Sequence, residues 1–126
     1  MTNLLRAELL VSLLLLLLSN SLVWADDVSG ETLDRCGAVS EETAMEMAQG
    51  VQRISGATYG LSTSGIAGPG GGTDAKPVGT LCIALATADS VSGRRYHLNF
   101  GNRRMNKRIF AAVALNMLRR ELTKHS

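Results

Sequence analysis

The chain has 126 residues, of which 45% are hydrophobic and 19% are charged, and its formal net charge is +2 at pH 7. This length allows one domain, since a core typically needs roughly 100 to 150 residues, and the composition favours a folded domain over a disordered chain. The two cysteines, Cys36 and Cys82, are too few for a disulfide framework, and no histidines at ligand spacing accompany them. We therefore expect one aliphatic core with free buried thiols, no metal and no cofactor.

Charge is unevenly distributed along the chain. The acidic residues that crowd its middle are Asp26, Asp27, Glu31, Asp34, Glu41, Glu42 and Glu46, and the basic residues that crowd its end are Arg94, Arg95, Arg103, Arg104, Lys107, Arg108, Arg119, Arg120 and Lys124. A basic end can bind nucleic acid, but the interleaved aromatic residues typical of nucleic-acid modules are missing around it. We interpret it as the solvated face of a C-terminal helix and predict no nucleic-acid partner.

Residues 1–28 form a leucine-rich segment that differs from the second unit, residues 29–126. The run at 9–18 is too short to cross a bilayer of roughly 30 Å as a helix, and the small residues near Ala25 fit a signal-peptidase site. A signal or anchor in residues 1–25 would make the protein secreted or membrane-anchored. The same run is also typical of a buried strand or helix, so both interpretations, and contact with a membrane, stay open.

Two helices are predicted at the start of the second unit. Ser29 is a typical N-cap and Gly37 a typical terminator, and Ser40 opens a second helix that ends near Gly56. Apolar residues in the second helix recur at helical spacing and define its buried face: Ala44, Met47, Ala48, Val51 and Ile54.

Three strands and a last helix complete the predicted order. Residues 58–64 are rich in strand-forming residues, 78–87 are almost all apolar, and 94–100 follow a turn as an antiparallel return strand. Residues 102–124 have helical periodicity, and the predicted buried stripe contains Ile109, Val113, Met117 or Leu118, and Leu122. This order predicts an α/β fold in which helices pack on a mixed sheet.

A glycine-rich loop at residues 63–73, followed by 76–80, joins the first two strands. Dense glycine lets the backbone approach a ligand, and several amides can converge on an anion. Thr63, Ser64 and Thr73 add hydroxyl groups, and Lys76 adds a positive charge. The spacing fits neither a Walker motif nor a dinucleotide fingerprint, so a plain flexible connection is the alternative.

These segments together resemble a known family. Residues 37–44, the loop with Lys76-Pro77-Val78-Gly79-Thr80, and Gly101-Asn102-Arg103 with the helix after it resemble the C-terminal domain of CinA, the competence/damage-inducible protein family. The resemblance implies a three-layer α/β/α sandwich, truncated here at its N-terminal side, and a cytoplasmic location. It also implies an amidohydrolase that converts nicotinamide mononucleotide to nicotinate mononucleotide and ammonia.

Carried onto this sequence, the resemblance implies a substrate site for a small nucleotide. The candidate binding residues are Thr63, Ser64, Gly65, Gly68, Gly70, Gly71, Gly72, Thr73 and Lys76. The family's nucleophilic serine lies in a Glu-Ser-Cys-Thr-Gly-Gly segment that this sequence lacks, and its Tyr-Ser-Asn motif with a trailing Lys is altered to Leu18 and Val23 at its two ends. Catalytic residues are therefore unassigned, and we expect weak or no amidase activity because such groups act as a unit.

Two other hypotheses follow from the same pattern. One is a non-catalytic nucleotide-binding or assembly module, completed by another subunit, for which export and a homo-oligomer are open alternatives. The other is a displaced reading-frame start, in which residues 1–27 replace a lost front half of the domain.

Overall fold

The computed structural model describes residues 28–124, and the leucine run lies outside this range. Its elements in chain order are α1 (Gly30–Cys36), α2 (Glu41–Ser55), β1 (Gly60–Gly65), β2 (Thr80–Ala86), β3 (Val91–His97) and α3 (Arg103–Thr123). This confirms the predicted order of helices, strands and loop. None of the described helices is both long and apolar enough to cross a membrane.

Local capping chemistry sets the helix boundaries. The Ser29 and Ser40 hydroxyls accept hydrogen bonds from the amides of Thr32 (3.1 Å) and Thr43 (3.0 Å). Gly37 ends α1 with φ +78°, a backbone conformation that favours glycine. Both N-caps are the residues expected from sequence, because a cap depends on only a few neighbouring residues.

The described sheet has the order β1-β2-β3, and both pairings are antiparallel. The α/β class is confirmed, but these three strands form an antiparallel sheet and not the mixed sheet we expected. The reason is that β2 and β3 are joined by a tight turn, in which the Thr87 amide donates to Ser90 O (2.7 Å), while the glycine-rich loop returns the chain against β1.

Helix α2 packs on one face of the sheet through small residues. Ala44 and Ala48 contact Cys82, Ala84 and Ala86 of β2. The approach is so close that a Cβ at Gly60 would lie 2.0 Å from the carbonyl oxygen of Ala48. The predicted buried face is wrong at Ile54, which is 52% exposed, because the contacting stripe ends at Val51, one turn earlier.

Helix α3 packs on the opposite face of the sheet. Side chains alternate between the two faces of a strand, so Leu81, Ile83 and Leu85 of β2 point toward α3. Its buried residues are Asn106, Phe110, Ala114 and Leu118. The predicted stripe is therefore right at Leu118, one of its two alternatives, and wrong in its other members, since Ile109, Val113, Met117 and Leu122 are only partly buried. The prediction selected the row with the larger apolar side chains. The row that packs on the sheet instead contains Asn106 and Ala114.

Candidate functional site

The glycine-rich loop leaves β1 at Gly65 and enters β2 at Thr80. Two backbone hydrogen bonds close its base, from the Ile66 amide to Thr80 O (2.9 Å) and from the Gly79 amide to Ile66 O (2.7 Å). The Leu98 amide donates to Gly79 O (2.8 Å), which ties the same point to the segment after β3. Hydrogen bonds therefore hold the two ends of the loop together and fix them to the rest of the domain.

The glycines of this loop have two different roles. A Cβ at Gly68 would lie 2.6 Å from a Val78 methyl, and one at Gly72 would lie 2.8 Å from the Val78 amide nitrogen. These two glycines permit close packing of the loop on itself. Gly70 and Gly71 are exposed, and a Cβ at Gly70 would meet nothing within 4 Å. Within residues 28–124 the amides of Gly70 and Gly71 donate no hydrogen bond, so they are available to a ligand.

The second half of the loop is held on the α2 side of the sheet. Lys76 is half-buried, and its ammonium donates to Cys36 O at the end of α1 (2.5 Å). Arg95 of β3 donates to Ala75 O (2.5 Å). Thr73 and Lys76 form a turn, in which the Lys76 amide donates to the Thr73 hydroxyl (3.0 Å). The Lys76 charge thus stabilises a helix C-terminus, a favourable position for a cation.

The first half of the loop is held by the opening turn of α3. The Arg103 guanidinium donates to Gly68 O (3.1 Å), and the Asn106 side-chain amide donates to Ala67 O (3.0 Å). Between loop and helix lies a cavity of about 430 Å³. The residues that line it are Ala67, Pro69, Val78, Asn99, Gly101, Asn102, Arg103 and Asn106.

An adjoining groove of about 420 Å³ runs between β1 and α3 and shares Ala67 and Arg103 with this cavity. Its other lining residues are Leu61, Thr63, Gly65, Lys107, Phe110, Ala111, Ala114 and Leu115. Gly65 is required here, because a Cβ would lie 2.8 Å from the Phe110 ring. The groove is apolar along its length and positively charged at the end that meets the cavity.

Electrostatics favour an anion where the cavity and groove meet. Arg103 and Lys107 are the cations there, and no acidic residue lines either space. Asn102 caps α3 by accepting from the Met105 amide (2.8 Å), which leaves the amides of Arg103 and Arg104 without a partner in the described chain. The free N-terminal amides of a long helix and its dipole attract phosphate and carboxylate groups.

The predicted site residues are not all brought together. Thr63 and Gly65 line the groove, and the carbonyl of Gly68 accepts a hydrogen bond from Arg103. Ser64 lies on the other face of β1 and donates to Ala38 O (2.6 Å). Neighbouring strand residues necessarily face opposite sides. Lys76 is held on that other side by its bond to Cys36 O, and Thr73 bonds to Lys76 within a turn. The residues at the exposed tip of the loop are Gly70, Gly71 and Gly72.

Sequence reasoning missed Arg103, Asn106 and Lys107 as members of the site. Arg103 belongs to the Gly101-Asn102-Arg103 segment, which carries the family resemblance but by itself predicts no contact with the loop. Asn106 left a detectable signal, a polar residue in the helical row that leads to Phe110, Ala114 and Leu118. A buried asparagine in such a row indicates specific hydrogen bonding.

Cys82 lies on the α2 face of the sheet, opposite the cavity and the groove, and is in register with Ser64 and Arg95. Burial raises the pKa of the Cys82 thiol, so it is protonated at neutral pH and is not a nucleophile. Both thiols are free, and Cys36 is half-buried rather than fully buried as expected. The described arrangement thus provides means of binding an anion but no activated attacking group among the residues that line the two spaces.

The decisive comparison is with protein families. A family profile described as the CinA C-terminal domain matches residues 25–122. The chain belongs to the CinA C-terminal domain family. The predicted resemblance is thereby confirmed.

Curated CinA-family proteins are similar along the same region. A CinA-like protein of Desulfosudis oleivorans is 61% identical over 95 residues, which are 75% of this chain and 23% of that protein. A CinA-like protein of Fervidobacterium nodosum is 44% identical over 97 residues, which are 77% of this chain and 24% of that protein. The chain thus spans less than a quarter of the length of these relatives.

Solved structures of CinA-family proteins have the same fold. The competence/damage inducible protein CihA from Agrobacterium tumefaciens aligns with a TM-score of 0.71 and 35% identity, over 76% of this chain and 58% of that one. The competence damage-inducible protein A from Klebsiella pneumoniae aligns with a TM-score of 0.73 and 31% identity, over 81% of this chain and 62% of that one. The α/β architecture described above is therefore that of the family.

Proposed function

We propose that this CinA-family domain binds a mononucleotide of the nicotinamide mononucleotide type, with the phosphate at the first turn of α3. The observation that carries the proposal is the cavity between the loop and α3, where Arg103 and unpaired helix amides meet without any acidic residue. The exposed amides of Gly70 and Gly71 add donors for the remaining polar groups. The apolar groove beside the cavity has room for the ring of the ligand.

We propose further that amide hydrolysis by this chain is weak or absent. Deamidation needs a nucleophile, a group that takes its proton, and donors for the developing oxyanion. Thr63 is the one hydroxyl side chain that lines the groove, and no Asp, Glu or His lines either space to serve as its base. Of these three requirements, the loop amides meet only the last, the donors for the oxyanion. This supports binding of the nucleotide without efficient hydrolysis.

Calorimetric titration tests the binding proposal. We expect nicotinamide mononucleotide to bind at least about tenfold more tightly than nicotinamide riboside, which lacks the phosphate, because charge-assisted hydrogen bonds are the strong ones. Arg103→Ala removes the cation that lines both spaces and should reduce this difference, while the helix amides and Lys107 remain. Arg104→Ala makes the same charge change at an exposed position outside both spaces and should retain it. Equal affinities of the wild type for the two compounds would refute the proposal.

Ammonia release from nicotinamide mononucleotide tests the hydrolysis proposal. We expect a rate close to that of the uncatalysed reaction, with wild type and Arg103→Ala indistinguishable. A turnover in the range of ordinary enzymes, roughly 1 per second or faster, would show that the catalytic groups are present.

A second candidate function, an assembly module, is favoured by the free edge of β1. Within residues 28–124, β1 pairs only with β2, and its sequence has no charged residue and no proline to prevent pairing. Such an edge is a template for another strand. Sedimentation should then detect a dimer that Thr63→Lys dissociates, whereas Ser92→Lys on the exposed strand β3 leaves it intact. A wild-type monomer at about 100 µM, a concentration that captures micromolar affinities, would exclude the candidate.

A further inference from the structure

The most completely buried polar side chain at the cavity is that of Asn106, which has no solvent exposure. Its Nδ2 donates to Ala67 O (3.0 Å) and to Asn99 Oδ1 (3.2 Å), and its Oδ1 accepts from the Phe100 amide (2.7 Å). One side chain of α3 therefore bonds to the start of the glycine-rich loop and to the segment that follows β3.

These two bonded segments are opposite walls of the cavity. Ala67 lines it from the loop, and Asn99 lines it from the β3–α3 connection. The bond to Ala67 O also fixes the plane of the next peptide, and a trans peptide directs the Gly68 N–H away from the carbonyl that Asn106 binds. Asn106 thus sets both the width of the cavity and the direction of a loop amide.

The donors of Asn106 are fully used by these contacts. A side-chain amide has two N–H donors, and both have protein acceptors here, so neither is left for a ligand. An aliphatic residue in this row would pack against the sheet as Phe110 and Leu118 do. What asparagine adds is the orientation of two chain segments.

We propose that Asn106 is a positioning residue for the nucleotide site. It holds Ala67 and Phe100 at the separation that the phosphorylated ligand requires, and it acts through those backbone groups without binding the ligand itself. This inference rests on the proposed function, because it explains how the same cavity is kept in its binding geometry.

The test compares Asn106→Leu with Leu118→Ala. Both change a fully or almost fully buried residue of the same α3 row, but Leu118 lies three turns from the cavity and does not line it. We expect Asn106→Leu to weaken nicotinamide mononucleotide binding by about tenfold or more, because buried carbonyl and amide partners lose their bonds. Leu118→Ala should lower the melting temperature at least as much and leave the affinity within about twofold.

A second variant and a second readout separate positioning from folding. Asn106→Asp keeps the size and the acceptor for the Phe100 amide but replaces the donors to Ala67 O and Asn99, so it should also weaken binding. Amide hydrogen exchange of Phe100 should accelerate in Asn106→Leu and stay slow in Leu118→Ala and Asn106→Asp, all measured below their melting temperatures.

The outcomes distinguish the two proposals. A wild type that binds the nucleotide, together with an Asn106→Leu variant of equal affinity, overturns the role of Asn106 and leaves the proposed function standing. A Leu118→Ala variant that loses affinity as strongly as Asn106→Leu also overturns it, since stability alone would then explain the loss. A wild type that does not bind the nucleotide overturns the proposed function and this inference together.

Discussion

Individual glycines of the loop differ in what they contribute. Gly72 is needed for packing against the backbone of Val78, whereas Gly70 faces open space. Gly72→Ala should lower the free energy of unfolding by roughly 1 to 3 kcal/mol, the usual cost of overpacking. Gly70→Ala should leave it within about 0.5 kcal/mol, because nothing meets the added methyl group. Urea unfolding of both variants measures this, and equal losses would contradict the two roles.

Lys76 and Lys107 form an informative pair of cations. Lys76 bonds to Cys36 O, and Lys107 lines the groove. Lys76→Met should lower the free energy of unfolding by about 1 kcal/mol, through the lost hydrogen bond, and leave nucleotide affinity unchanged. Lys107→Met should weaken nucleotide binding and leave the free energy of unfolding nearly unchanged. Titration and urea unfolding of both variants test this, and a loss of affinity in Lys76→Met without a loss of stability would show that Lys76 reaches the ligand, as the sequence suggested.

At the scale of elements, Glu46 joins α1 to α2. Its carboxylate accepts from the Thr32 hydroxyl (2.5 Å) and from the Ser29 amide (2.8 Å). The hydrogen bond from Thr32, followed by the one from Ser29, lowers the pKa of Glu46. Because the folded pKa lies below the unfolded one, this stabilisation is present above the unfolded value, about 4.3, and is lost as pH falls through the folded value.

Glu46→Gln should therefore change how stability depends on pH. At pH 7 we expect the variant to be roughly 0.5 to 1 kcal/mol less stable than the wild type, because charge-assisted hydrogen bonds are replaced by neutral ones at a position where solvent screens the charge. The difference should shrink as pH falls below about 4. Thermal unfolding between pH 3 and 7 measures it, with Glu42→Gln, at an exposed position of the same helix, as the control. A constant difference across this range would exclude the linkage.

The elements themselves were largely predictable, and their buried faces were less so. Ser29, Ser40 and Asn102 cap the three helices by accepting hydrogen bonds from the amides three residues ahead. Both partners are close in sequence, so such caps can be recognised without the tertiary structure. The choice of facing row depends on the partner surface. Ala44 and Ala48 pack against the alanines of β2, and Ile54 is left exposed. The residues of β2 are far from α2 in the sequence, so the pattern within the helix cannot predict this.

At the scale of the whole molecule, the charge asymmetry of the sequence becomes an asymmetry between the two faces of the sheet. Most acidic residues of the described chain lie on α1 and α2, and the basic residues of α3 on the opposite face are Arg103, Arg104, Lys107, Arg108, Arg119 and Arg120. A field of one sign around a site attracts ligands of the other sign and is screened by salt.

This field predicts that nucleotide affinity depends on ionic strength. Raising salt from about 0.05 to 0.5 M should weaken nicotinamide mononucleotide binding several-fold, since the Debye length falls below roughly 5 Å. Nicotinamide riboside has no phosphate, so its weaker affinity should change much less. Titration at the two salt concentrations measures both. A phosphorylated ligand that is indifferent to salt would place its phosphate away from α3.

The sequence by itself determined the family, the order of elements, the helix caps and the location of the glycine-rich loop, because each depends on residues close together in the chain. The tertiary structure alone decided that Arg103 and Asn106 of α3 meet Ala67 and Gly68, across more than 30 residues of intervening chain. It also decided that Ser64 and Lys76 turn to the other side of the sheet. These outcomes follow from strand alternation and from which helix covers which face, and both are settled only when the chain packs.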